Sequence, residues 1–322
     1  MSLDTLIRRT PSRLVSDSPA TGRRTSSNGD INDLSGQLVS AVLGSGLLAK
    51  IVASGGTVTS LNGYKYHVFT SSGTFSVNSG GGTVYVTMVG GGANCAFSSW
   101  GGMNGGGAIL EQKFNIEYGR NIEIFVGSSN NGSGGNSGVS TSNMTISGAV
   151  LADSRRLIAY GSSFSGTEGT VGQLRIDTGQ GFNHGSTLGY ANCYSGGGGG
   201  GAGSAGGSPS GYGGGPACHG CGSGGNGLAM TADLTTVLGY SHIGAGGGGG
   251  AYAENNCDGG CCPGIGYSGA GGSGYGGHAT ERGCNTSPTG QSGYGSGGHG
   301  DAINIRGGGS GTAGVVVIKY LA

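Results

Sequence analysis

The spacing of apolar and polar positions changes along the chain, and each change predicts a different kind of element. Over residues 31 to 53, Ile31, Leu34, Leu38, Val42, Leu47, Leu48 and Ile51 follow i, i+3, i+4, i+7 spacing, which predicts a helix. Asp30 is placed to cap its start, and Gly55-Gly56 to end it. Gly44 and Gly46 each weaken such a helix by about 1 kcal/mol relative to Ala. Its apolar face therefore needs a partner, either the next domain or copies of itself. From residue 64 the period falls to two. Tyr64, Tyr66, Val68 and Thr70 alternate with Lys65, His67 and Phe69. Thr74 to Val77, Thr83 to Val89, Ala108 to Ile116 and Asn121 to Val126 follow, each β-branched or aromatic and bounded by Gly, Asn or Ser. Such runs predict short antiparallel strands in a sandwich or barrel. Ser71-Ser72-Gly73 and Tyr118-Gly119-Arg120-Asn121 have turn chemistry. Leu157 to Tyr160 and Gly172 to Ile176 are weaker strand candidates.

The chain closes with Thr312-Ala-Gly-Val-Val-Val-Ile-Lys-Tyr320, a run apolar enough for a strand buried on both faces. A terminal strand of this kind is expected to return to the sheet begun at residue 64. Everything between then becomes an insertion within one domain, and a structureless loop of that length is improbable in a compact fold.

Composition shows what that insertion is made of. Glycine supplies 82 of the 322 residues, and 46 of the 121 from Ala191 to Gly311. Glycine brings no side chain to a core and loses the most backbone entropy on folding. A flexible linker would be Gly/Ser and little else. This segment also carries seven of the eight cysteines and seven tyrosines, a mixture suited to an ordered surface built on close backbone packing. Charged residues make up 9% and the net charge is zero, whereas disordered chains are usually strongly charged and poor in aromatics. Neutrality removes the electrostatic case for nucleic acid. No run approaches 18 apolar residues, so no membrane insertion is expected. The N-terminus lacks the compact apolar stretch of a secretory signal. The expected divisions are residues 1–30, a helical connector 31–60, a β-domain 61–190, the glycine- and cysteine-rich insertion 191–311, and a closing strand 312–322.

Within residues 1–30, Arg8, Arg9, Arg13, Arg23 and Arg24 face only Asp4 and Asp17 before residue 25. This is either a disordered tail or a peptide that orders on docking to an acidic groove of a larger partner.

The run Tyr66-His-Val-Phe-Thr-Ser-Ser-Gly-Thr-Phe-Ser-Val77, then Val84-Tyr-Val-Thr-Met-Val-Gly-Gly-Gly92, resembles the opening of the glycine-rich domain of bacteriophage tail fibres and adhesins. Gly105 to Gly119 and Asn121-Ile-Glu-Ile-Phe-Val-Gly127 resemble its next strands, and Gly311 to Tyr320 its last. The resemblance covers residues 64–150 and 307–320. Seven cysteines in the insertion and residues 1–60 depart from it. The resemblance implies an all-β virion protein with an N-terminal attachment segment, found outside the cell after release. Its implied partners are other virion tail or capsid proteins and a host cell-surface glycan or outer-membrane protein, and its implied assembly is a homotrimer. The alternative is a structural capsid or tail decoration that binds only virion partners.

The resemblance also implies glycine segments packed as polyglycine II helices with receptor-touching loops at their tip. Physical chemistry independently allows this. A helix of the polyproline II type has no internal hydrogen bonds, its buried backbone must pair somewhere, and chains without Cβ atoms approach closely. Gly196 to Gly201 and Gly246 to Gly250 are the candidate helices.

Cys193, Cys218, Cys221, Cys257, Cys261, Cys262 and Cys284 are disulfide candidates, since a chain with little core gains most from staples. Their odd number leaves one over unless Cys95 joins. The spacing Cys218-His219-Gly220-Cys221 also fits zinc, which His219, His278 or His299 could complete. Unpaired thiols are the third reading. Tyr212, Tyr240, Tyr267, Tyr275 and Tyr294 each follow or precede glycine. They are read either as receptor contacts, in the manner of Tyr-rich paratopes, or as plugs between glycine helices. The lone Trp100 fits a core or interface better than glycan stacking. No phosphate loop or catalytic acid pair stands out, and G-x-G-x-x-G matches are expected by chance here. No enzyme is predicted and no cofactor beyond the zinc alternative.

Overall fold

Each alternating segment forms a strand because one set of its side chains has a core to enter. The computed structural model describes residues 50–95, 102–131, 133–141, 144–146, 149–151, 155–159, 161–162, 188–190, 193–195, 197–208, 222–249, 251–253, 292–300 and 309–322. The fold opens with β1 (Val52–Ser54), β2 (Thr57–Leu61), β3 (Tyr64–Phe69), β4 (Gly73–Ser79) and β5 (Gly82–Val89). The two-residue β6 (Ala93–Asn94) precedes β7 (Ala108–Ile116) and β8 (Asn121–Phe125). Short strands follow: β9 (Ser129–Asn131), β10 (Ser133–Gly134), β11 (Ser137–Thr141), β12 (Met144–Ile146), β13 (Ala149–Leu151) and β14 (Arg155–Ala159). β15 (Leu188–Tyr190) precedes the insertion, which holds β16 (Cys193–Ser195), β17 (Leu228–Ala229), helix α1 (Ala232–Leu238), β18 (His242–Ile243) and β19 (Ala251–Ala253). β20 (Val315–Leu321) ends the chain.

The chain is all-β in architecture, with α1 the one helix among the described residues. A five-stranded sheet, β1-β4-β8-β11-β14, and a seven-stranded sheet, β13-β12-β7-β5-β20-β3-β2, carry most of the strands. Neither closes on itself, so of the two expected architectures the open sandwich is found and the barrel is not. Phe75, Val77, Ile122, Ile124 and Val139 of the first sheet share a core with Val84, Val86, Met88, Phe114, Val316, Ile318 and Tyr320 of the second. On β8 the alternation is complete: Ile122 and Ile124 are buried while Asn121 and Glu123 face solvent.

β20 lies between β5 and β3, antiparallel to both, with Ile318 opposite Val86 on one side and His67 on the other. Its other face enters a second core. Val315 and Val317 pack there with Tyr66, Val89, Ala202, Ile243, and Leu234 and Leu238 of α1. The closing strand thus returns to the sheet begun at residue 64 and is buried on both faces, as its sequence requires.

The predicted helix over 31–53 needs correction at its end. Val52–Ser54 form β1 and pair with β4, and Thr57–Leu61 form β2, so the last residues of the expected connector belong to the sandwich. The pair Gly55-Gly56 turns the chain between the sheets with φ of 112° and 62°. A Cβ on Gly56 would come within 2.7 Å of the Val68 carbonyl oxygen. Lys50 and Ile51 are described and not helical, with Ile51 in the sandwich core, whereas residues 31–49 of that predicted helix, residues 1–30, and the weak strand at 172–176 lie outside the described residues. The strand expected at Leu157 to Tyr160 is β14.

One polar side chain sits inside the sandwich. His67 is fully buried; its Nδ1 lies 2.7 Å from the Gly55 carbonyl oxygen and its Nε2 3.0 Å from the Tyr320 hydroxyl. Nδ1–H donates to Gly55 and Nε2 accepts from Tyr320 in the neutral form. The Phe75 ring meets the imidazole edge to face at 5.0 Å. Burial, then the Lys65 charge, hold the imidazole below its ordinary value of 6.5, against the opposing Gly55 hydrogen bond. The unfolded state therefore binds more protons between the two values, and stability is expected to fall as pH drops through about 6.5, levelling below the folded-state value. Denaturant midpoints measured from pH 7.5 to 4.5 check this. His67→Asn should remove that part of the slope; an unchanged slope would assign it to other groups.

Candidate functional site

Glycine runs lack side chains to bury, so their order has to come from the backbone, and the hydrogen bonds show how. Segments 90–95, 102–107, 197–203, 222–227, 244–249, 295–300 and 309–314 lie side by side and bond to one another. Their partners repeat every third residue. Gly102 and Gly105 donate to Gly197 and Gly200, while Met103 and Gly106 donate to Gly298 and Gly295. Gly199 and Ala202 donate to Gly247 and Gly244, Gly246 and Gly249 to Gly225 and Gly222, and Gly297 and Gly300 to Ala245 and Gly248. Donors three apart meet acceptors three apart, the repeat of a three-residue helical turn, whereas a strand repeats every two. Acceptor numbers rise in some pairs and fall in others, so parallel and antiparallel neighbours are mixed. Segment 102–107 bonds to four neighbours, 90–95, 197–203, 244–249 and 295–300, which makes a bundle and not a sheet.

The bundle excludes Cβ atoms where segments touch. A Cβ on Gly199 or Gly297 would run into the Met103 carbonyl oxygen, one on Gly247 into that of Gly298, and one on Gly246 into that of Gly199. Real Cβ contacts are never that close, and the obstacle is backbone. Side chains enter where there is room. Asn104 is buried, and its Oδ1 accepts from the Gly200 N–H at 2.7 Å. Asn94 Oδ1 accepts from the Gly311 N–H at 2.7 Å. His299 is buried with Nδ1 3.1 Å from the Gly300 carbonyl oxygen.

Both expected glycine helices fall in this bundle over their described parts, 197–201 and 246–249. What sequence reasoning missed is its extent. Segments 90–95 and 102–107 come from the β-domain, on the other side of the expected boundary at residue 191. Short pieces around Gly127, Gly134 and Ser162 also bond to it or beside it, with Ser162 donating to Gly91. The missed signal was the pair of glycine triplets Gly90–Gly92 and Gly105–Gly107, placed directly after β5 and directly before β7.

Direction matters more than composition. Gly90, Gly107 and Gly314 adjoin the ends of β5, β7 and β20, and Ala202 and Ile243 share the second core with Val89 and Val315. This end of the bundle rests on the sandwich. At the opposite end, Cys95 donates to Gly309, Gly102 to Gly197, Gly249 to Gly222 and Gly300 to Gly248. Positions 95, 102, 197, 222, 249, 300 and 309 are therefore gathered there. The described stretches break off there, after 95, 249 and 300 and before 102, 197, 222 and 309.

Of the tyrosines expected at a recognition surface, the structure brings two together. Tyr240 and Tyr294 pack edge to face at 5.7 Å between centroids. Tyr294 also packs against the second core. Burial, then Tyr240, push its hydroxyl above the usual value. Both rings are partly buried. Tyr212, Tyr267 and Tyr275, the five N-terminal arginines, Trp100, and Cys218, Cys221, Cys257, Cys261, Cys262 and Cys284 lie outside the described residues. Cys193 lies on β16, which pairs with β15 and β19. Cys95 is buried beside Ala93 and Met103. Among the described residues no group of His, Cys, Asp and Glu is placed to hold a metal ion, and no helix is long and apolar enough to cross a membrane.

A polar cluster on the outer face of the seven-stranded sheet was not foreseen. Lys319 donates to Glu111 Oε1 at 2.7 Å and lies 4.6 Å from the Tyr64 ring centre. Burial lowers its pKa, but the Glu111 hydrogen bond and charge, with Tyr66 and Asp233, outweigh it and raise the pKa above the ordinary value. Tyr66 donates to Asp233 Oδ2 at 3.1 Å and Asn62 Nδ2 to Asp233 Oδ1 at 2.8 Å, which ties α1 to the sheet. These groups bond to one another and form a latch. Compared with known proteins, the chain matches no family model and no curated protein.

Proposed function

We propose that this chain is the host-recognition protein of a bacteriophage particle, a tail fibre or adhesin. Residues 1–30 attach it to tail or capsid proteins, and the end of the glycine bundle farthest from the sandwich meets a glycan or protein of the host surface. The observation that carries this reading is the bundle's directionality: a backbone-rigid platform fed by three strands of the sandwich, with its chain exits gathered at one end. Loops on a rigid scaffold are where binding residues concentrate. The segments leaving that end carry Trp100, Tyr212, Cys218, Cys221 and Cys257 in their sequence. Disulfides among those cysteines would staple a surface that glycine cannot hold by packing. The resemblance of residues 64–150 and 307–320 to glycine-rich adhesin domains points the same way.

The test is adsorption. Segment 209–221, replaced by a short Gly/Ser loop, costs little in closure entropy because that cost grows only as the logarithm of length. Particles carrying the altered protein are expected to assemble and to adsorb to the host at least tenfold less. Normal adsorption would reject the adhesin reading and favour the decoration protein.

A further inference from the structure

Among the described residues the two large sheets have four edges, and three of them are blunted. β1 is three residues long with an irregular register between Val52 and Ala53. β13 is three residues long. β14 carries Arg155 and Arg156 in its sequence. Short length, bulges and charge are the devices by which proteins keep sheet edges from pairing with other chains. β2 has none of them. It is five residues, Thr57-Val58-Thr59-Ser60-Leu61, without charge or proline, and regular in register against β3 throughout. Its residues are exposed except Leu61, and Val58 is half exposed. Val52, on the edge strand of the other sheet, is 46% exposed.

We propose that β2 is a pairing edge, and that its occupant is β2 of a second copy of this chain, antiparallel across a twofold axis at Thr59. The strand is self-complementary in that arrangement. Thr59 meets Thr59, Val58 meets Ser60 and Thr57 meets Leu61. A Thr–Thr cross-strand pair is favourable, and a strand without charge brings no like charges face to face. The two seven-stranded sheets become continuous. A twofold contact of this kind is isologous and stops at two copies. Five residues a side bury far less than the roughly 1,600 Å² of a standard interface, so the dimer is dissociable and depends on concentration.

The experiment uses the full chain in a sedimentation series over increasing concentration. The wild type is expected to move from one copy to two. Val58→Lys with Ser60→Lys should hold it at one copy up to at least tenfold higher concentration, with circular dichroism unchanged because both side chains are exposed. Ser60→Lys alone gives a milder variant should the double one misfold. A photo-cross-linking residue at position 59 should trap residues 57–61 of the second copy. A wild type that stays single at every concentration overturns the proposal. So does a dimer or trimer indifferent to the lysines, or a cross-link formed only with some other protein's extended strand.

Discussion

Gly199→Val is expected to dismantle the glycine bundle while the sandwich stays folded. The new Cβ would occupy the position of the Met103 carbonyl oxygen, which already accepts the Gly247 N–H at 2.9 Å. Gly199 itself donates to Gly247 and accepts from Gly225, so one shift breaks contacts to three segments. Overpacking between side chains typically costs about 1–3 kcal/mol because rotamers can yield. Here the obstacle is hydrogen-bonded backbone, and a cost at or above the top of that range is expected. Hydrogen exchange should show lost protection over 102–107, 197–203 and 244–249, with β4, β5 and β8 still protected. Gly73→Ala is the control: its Cβ would find only the Phe69 ring at 3.8 Å. Rapid exchange across 197–201 in the wild type, or a valine variant as protected as the wild type, would show that the bundle is not packed as described.

Phe75→Ala is expected to act in the other direction, lowering the stability of sandwich and bundle together by roughly 3–5 kcal/mol. Phe75 is fully buried on β4, edge to face with His67 at 5.0 Å and with Tyr320 at 6.2 Å. Its removal leaves a cavity between the sheets and loosens β20, which supports the bundle through Gly314 and the second core. A thermal scan should show one earlier transition, and the exchange protection of Gly199 and Gly247 should fall with it. If the bundle kept its protection while the sandwich melted, it would be an independently stable unit, and the dependence argued here would be wrong.

The two substitutions separate what each level of description decides. Alternation placed the strands: Thr74 to Val77 and Asn121 to Val126 read as strands in the sequence, and the structure then buries Phe75, Val77, Ile122 and Ile124 because only one face of their sheet meets the other sheet. The closing run Val315 to Ile318 read as doubly buried because no polar residue interrupts it. The glycine runs Gly196 to Gly201 and Gly246 to Gly250 read as packed helices because the resemblance implies them and chains without Cβ atoms can approach closely. The proposed distal tip was legible only as a cluster of Tyr and Cys along the chain, without its position.

Tertiary structure decided the rest. Met103, Asn104, Ser296 and His299 belong to the bundle although they carry side chains, because a three-residue turn points them to gaps between neighbours where a Cβ fits. That space depends on which segments lie alongside, and no local pattern records it. Helix α1 spans two turns, too short for helical periodicity to rise above its surroundings. It is fixed instead by Leu234 and Leu238 in the second core and by Asp233 on Tyr66. β1 ended a helical pattern in the sequence and became a strand because β4 offered it an unpaired edge. Composition and period thus pointed to an all-β sandwich or barrel with packed glycine, and the structure decided for the open sandwich. The bundle's membership, its mixed directions and the gathering of its exits at one end follow from close backbone approach between segments more than two hundred residues apart, such as Gly92 and Thr312, which only the assembled chain specifies.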